Sequence, residues 1–151
     1  MKEMKMLLVD DEERFLSTTK KLLARKGLDV LTATSGPEAL EILREHNVHV
    51  VILDVKMPGM DGIATLKQIK RQYPMVEVIM LTGHATAESA VEGLKSGAAD
   101  YLMKPTHIDE LIQKAQEAYE KRQRLEEKIR VLQMRTLSGS PRHIIRESEE
   151  S

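Results

Sequence analysis

Two adjacent carboxylates, Asp10 and Asp11, directly follow the apolar run Met6-Leu7-Leu8-Val9. Like charges about 4 Å apart cost on the order of 4 kcal/mol at an effective dielectric near 20, so a cation or a proton must relieve such a pair. An oxygen-rich Mg²⁺ site is the natural relief. A third acid, Asp54, ends the run Val48-His49-Val50-Val51-Ile52-Leu53. It precedes Val55-Lys56-Met57-Pro58-Gly59-Met60-Asp61-Gly62, a turn rich enough in Pro and Gly to hold a loop at the same edge. A hydroxyl arrives in Leu81-Thr82-Gly83 and an ammonium in Met103-Lys104-Pro105, each again where an apolar run stops. Acids that collect a cation, with a hydroxyl and a Lys beside them, suit the handling of an anionic group. Taken singly, each has a plainer reading: Asp10-Asp11 as a solvated helix N-cap pair, Thr82-Gly83 as a strand end, Tyr101 as ordinary packing.

The elements that must carry these residues are legible as alternating patterns. Short apolar runs at 6–9, 30–33, 48–53, 76–81 and 101–103 predict five strands. The third and fourth are nearly continuous in aliphatic residues, as in parallel strands covered on both faces. Amphipathic stretches near 13–26, 37–46, 63–72 and 86–96, and from 107 onward, predict the helices between and after them. Gly27 and Gly97 fit left-handed helix ends and Pro37 a first helical turn. Thr86, with Glu88 and Ser89, is a weaker start signal. Strict strand-helix alternation means an α/β fold with a doubly wound parallel sheet. In such sheets ligands gather beyond the carboxyl ends of the strands, where Asp10, Asp11, Asp54, Thr82 and Lys104 all fall.

Composition narrows the function classes. At 151 residues, with 41% hydrophobic and 31% charged, the chain suits one globular core with a short appendage. The absence of cysteine removes disulfides, thiolate metal sites and Cys nucleophiles, and favours a reducing compartment, hence a cytoplasmic location. No run is long enough for a signal or membrane segment. A net charge of −1 argues against direct nucleic-acid binding, and 3% aromatics leaves few stacking platforms. His46, His49, His107 and His143 lack metal-ligand spacing and read as surface or packing residues.

Taken together, Val9-Asp10-Asp11, Asp54 ahead of Met57-Pro58-Gly59-Met60-Asp61-Gly62, Thr82-Gly83 and Lys104-Pro105 strongly resemble the receiver domain of bacterial two-component response regulators. The resemblance covers about residues 4–120. It implies the flavodoxin-like strand order 2-1-3-4-5. It also implies that Asp54 is the phosphoacceptor, taking a phosphoryl group from a sensor histidine kinase or a phosphotransfer protein. Asp11 and Asp54 would bind Mg²⁺ directly, for which Mn²⁺ can substitute; Asp10 would act through a metal-bound water, and the backbone carbonyl of Lys56 would complete the set. Lys104 would hold a phosphoryl oxygen, while Thr82 and Tyr101 would switch the face made by the fourth helix, fifth strand and fifth helix. Lys56 and His84 would tune the phosphoryl lifetime, and Lys104-Pro105 would be a cis peptide. Phe15 and Leu16 of the first helix fall where such domains meet their kinases. The expected product is a switch for a downstream protein, with no separate substrate turnover.

Three alternatives accompany that reading. A haloacid-dehalogenase-like phosphatase uses similar groups, but needs a general-acid Asp where this chain has Lys56. A flavodoxin-like carrier needs a phosphate-binding loop where this chain has carboxylates. The chain could also be the regulatory front of a longer transcription activator. Residues 1–120 read as the receiver, 121–135 as a helical extension and 136–151 as a polar tail expected to be disordered. From Asp109 through Arg135 no Gly or Pro interrupts the helix, and Ile108, Leu111, Ala115, Ala118, Arg122, Leu125, Ile129 and Leu132 fall on one heptad seam. That extension reads as a solvated helix, a dimerising coiled coil or a connector to an output module.

Overall fold

The structure, a computed structural model, describes residues 3–55, 61–83 and 87–138. Its order is β1 (Lys5–Val9), α1 (Glu13–Arg25), β2 (Asp29–Ala33), α2 (Gly36–Glu45), β3 (Val50–Leu53), α3 (Gly62–Gln72), β4 (Glu77–Thr82), α4 (Ala87–Lys95), β5 (Asp100–Met103) and α5 (Ile108–Ser138). The chain divides into two compact units, Met1–Tyr119 and Glu120–Ser151, with α5 running through the division.

All strand pairs in the first unit are parallel, in the order β2-β1-β3-β4-β5. Side chains alternate across this sheet because strand residues point to opposite faces in turn. Met6, Leu8, Val30, Val50, Ile52, Ile79 and Leu81 join Leu16 and Leu23 of α1 and Leu111, Ala115 and Ala118 of α5 in one core. Leu7, Val9, Val51, Leu53, Val78 and Met80 join Ala39 and Leu43 of α2 and Ile63, Leu66 and Ile69 of α3 in the other. The sheet is therefore buried on both sides, which explains why β3 and β4 are apolar without alternation.

Element limits fall within a few residues of the sequence expectation, and the differences have local causes. β3 begins at Val50 rather than Val48, because the Val48 N–H turns back to the His46 carbonyl at 3.0 Å. α5 extends past Arg135 to Ser138, so residues 136–138, expected in the tail, are helical instead, Leu137 being a good helix former and the first Gly coming only at 139; the rest of the expected tail lies outside the described residues. Gly27 and Gly97 have φ of 83° and 109°, the left-handed conformations that end α1 and α4. Ser35 caps α2, its Oγ accepting from the Glu38 N–H at 3.3 Å, and Pro37 follows in the first turn. No helix among the described residues is long and apolar enough to cross a membrane.

Candidate functional site

Backbone hydrogen bonds of three chemical residues extend the carboxyl edge of the sheet. Asp10 donates its N–H to Ala33 O at 3.1 Å, Asp54 to Val9 O at 2.9 Å and Lys104 to Thr82 O at 3.0 Å. These three side chains thus leave the sheet from a backbone that is still paired, which fixes their direction. The strand order reverses around β1, so Asp10 and Asp11 after β1 lie beside Asp54 after β3 at the crevice where the chain changes direction. Close approach of α3 completes that wall. The Gly62 N–H reaches Val55 O at 2.8 Å, and a Cβ on Gly62 would overlap the Asp54 and Val55 carbonyl oxygens. Asp61 caps the same helix, its Oδ1 accepting from the Ile63 N–H at 3.0 Å.

Asp10, Asp11 and Asp54 each place a carboxylate oxygen within 4.8 Å of the others. Asp10 and Asp54 are buried and Asp11 is exposed. Three hard oxygen donors, one of them open to water, fit a divalent cation that retains part of its hydration shell. Burial raises the pKa of Asp10 above the ordinary aspartate value, against the opposing hydrogen bonds from Lys104 and from the Glu12 N–H at 2.9 Å. For Lys104 burial acts downward, but its hydrogen bond to Asp10 and the charges of Asp10, Asp54 and Glu12 outweigh it and raise the pKa. The ammonium therefore stays charged at the edge of the acid cluster.

The Lys104-Pro105 peptide bond is cis, as the resemblance implied. The Lys104 Nζ bonds Asp10 Oδ2 and lies 3.5 Å from Glu12 Oε1. Thr82 is the last residue of β4 and is fully buried. Tyr101, on β5, is half-buried, and its Oη lies 3.1 Å from Ser89 Oγ of α4. The structure thus brings together five of the residues singled out from sequence, Asp10, Asp11, Asp54, Thr82 and Lys104, with Tyr101 on the neighbouring strand. Lys56 and His84 lie outside the described residues.

Two further side chains meet Lys104 that no motif in the sequence marks. Glu12 supplies a second carboxylate, and the Phe15 ring centroid lies 4.1 Å from the ammonium. Their sequence signal is limited to position, Glu12 as the N-cap of α1 and Phe15 in its first turn. Leu16, expected on the kinase-facing surface, lies inside instead. It is 4% exposed and packs inward from α1, so it belongs to the core and not to a docking surface. Phe15 instead lines a surface cavity of about 430 Å³ with Glu12, Leu22, Lys104 and Ile108.

A family model described as the response regulator receiver domain matches residues 6–116. Among curated relatives, the DNA-binding transcriptional regulator NtrC of Escherichia coli K12 is 41% identical over 119 residues, covering 77% of this chain and 25% of the relative. The putative response regulator NtrX-like of Rickettsia bellii is 38% identical over 140 residues, covering 89% of this chain and 29% of the relative. A solved receiver domain protein from Clostridium thermocellum superposes with a TM-score of 0.77 at 39% identity, covering 81% of this chain and 98% of that one. The chain thus spans about a quarter of the length of the curated relatives it matches.

Proposed function

The chain belongs to the response regulator receiver domain family, and from that premise we propose that Asp54 accepts a phosphoryl group from the phosphohistidine of a partner kinase or phosphotransfer protein. The observation that carries this reading is the meeting of Asp10, Asp11 and Asp54 within 4.8 Å, with the Lys104 ammonium bonded at the edge of the cluster. In the transfer, an Asp54 carboxylate oxygen forms a bond to phosphorus as the phosphorus–nitrogen bond to the donor imidazole breaks. The imidazole leaves with the electron pair and takes a proton from solvent. A Mg²⁺ held by Asp11 and Asp54 directly, by Asp10 through water and by the Lys56 carbonyl would neutralise charge on the transferring oxygens. Lys104 binds one of those oxygens with its charged donor, and the Thr82 hydroxyl donates to another.

Thr82 moving toward the phosphoryl group vacates space into which Tyr101 turns. Tyr101 is hydrogen-bonded to Ser89, so this movement draws on α4 as well as β5. Val91 and Leu94 of α4 and Met103 of β5 are exposed apolar residues on the responding elements, suited to contact with a downstream partner or a second copy. The relatives are named as transcriptional regulators of much greater length, which favours a regulatory front acting on attached or partner output machinery. Lys56 and His84 remain proposed modulators of hydrolysis; Lys56→Ala should shorten the phosphoryl lifetime.

Incubation with a small phosphodonor and Mg²⁺ should add one phosphate by intact mass, and Asp54→Ala should abolish it. Labelling that persists on another residue would overturn the assignment. Turnover of phosphate esters would instead favour the haloacid-dehalogenase-like alternative.

A further inference from the structure

Lys104 has two carboxylate partners, yet the role proposed for it requires that it remain available to a third anion. An ammonium on a four-carbon stem is a mobile point charge with three donors, readily captured by the nearest acid. Here Asp10 and Glu12 both reach it. Its side chain is only 16% exposed, so water screens the competition weakly. Phe15, the only phenylalanine of the chain, stands at this point. It leaves the first turn of α1, packs partly against the core and presents its ring 4.1 Å from the Lys104 Nζ.

An aromatic face attracts a cation through its quadrupole without offering a lone pair of its own. It can therefore hold the charge in place while leaving N–H donors available. Neither a carboxylate, which would neutralise the ammonium, nor an aliphatic side chain, which would only desolvate it, does this. We propose that Phe15 is a positioning residue for Lys104, its ring face keeping the ammonium beside the acid cluster and poised for a phosphoryl oxygen. The proposal rests on the phosphoacceptor reading of Asp54, and it adds a side chain of α1 to a site otherwise built from strand ends.

The test uses the full chain and beryllofluoride with Mg²⁺ as a phosphoryl mimic, with Mg²⁺ alone as the control ligand. Phe15→Leu retains an apolar side chain without the quadrupole and should weaken beryllofluoride binding about five-fold, with Mg²⁺ binding retained. Phe15→Tyr keeps an aromatic face and should restore parental affinity. In a Lys104→Met background, Phe15→Leu should cause no further loss, because the interaction it removes is already gone. Parental affinity in Phe15→Leu, equal losses with and without Lys104, or a Phe15→Tyr variant as weak as Phe15→Leu would each overturn the positioning role. Failure of the parent chain itself to bind beryllofluoride would overturn the underlying phosphoacceptor reading instead.

Discussion

Asp10 and Asp54 are 2% and 6% exposed while their neighbour Asp11 faces water, and this difference assigns them different work. On the proposed function, a divalent cation would relieve the repulsion within the buried pair, and the open acid would give it a route in. Mg²⁺ at ten times its dissociation constant should stabilise the fold by about 1.4 kcal/mol. That corresponds to a melting temperature roughly 3–6 °C higher, measurable by thermal unfolding, and Asp11→Asn should remove most of the rise. Lys104 acts in the opposite sense, because its ammonium occupies Asp10 and repels an arriving cation. Lys104→Met is therefore expected to bind Mg²⁺ more tightly in a titration while losing affinity for a phosphoryl mimic. Tighter binding of both would contradict the assignment of Lys104 to the phosphoryl group. Asp10, Asp54, Thr82 and Lys104 were legible because each terminates an apolar run. Glu12 and Phe15 were not, since their meeting with Lys104 spans about 90 residues of chain and no local pattern marks it.

The elements hold this chemistry by close approach, and two glycines separate rigid from adaptable contacts. A Cβ on Gly62 would overlap two carbonyl oxygens and lie 2.6 Å from the Val55 Cα, all of it backbone beside Asp54. Nothing there can yield without moving α3 or the end of β3. Gly62→Ala should cost about 2–3 kcal/mol in urea unfolding and weaken Mg²⁺ binding with it. A Cβ on Gly93 would overlap Met80 Sδ and lie 3.0 Å from its Cε, the far end of a flexible side chain. Repacking of that thioether, with a helix-propensity gain of up to about 1 kcal/mol, should keep Gly93→Ala within about 1 kcal/mol of the parent. Equal losses in the two variants would show that backbone proximity is not the deciding factor. Ser35 makes a simpler case, where Ser35→Ala should cost about 1 kcal/mol through the lost cap on Glu38 N–H.

At the scale of the molecule, the first unit is closed on both faces of its sheet, whereas the second, from Glu120, presents Leu125, Ile129, Leu132 and Met134 as exposed side chains. Leu125, Ile129 and Leu132 continue the heptad seam, and Arg122 within it is neutralised along its own helix by Glu126 at 2.6 Å. Of the three readings of this extension, the exposed stripe favours pairing with a second copy. Sedimentation equilibrium should show a dimer that Leu125→Glu with Leu132→Glu converts to monomer; a parent that stays monomeric at high concentration, with and without a phosphoryl mimic, removes this reading. The sequence by itself determined the alternation of strands and helices, the doubly buried sheet and the set of acids, hydroxyl and ammonium at its edge. Those follow from side-chain periodicity and from where each apolar run stops, both local properties. Only the tertiary structure decided that Leu16 faces inward while Phe15 meets Lys104, that Tyr101 is bonded to Ser89, and that Gly62 must stay bare. Each depends on how a helix is rotated and seated against the sheet, which is set by packing among residues far apart in the chain.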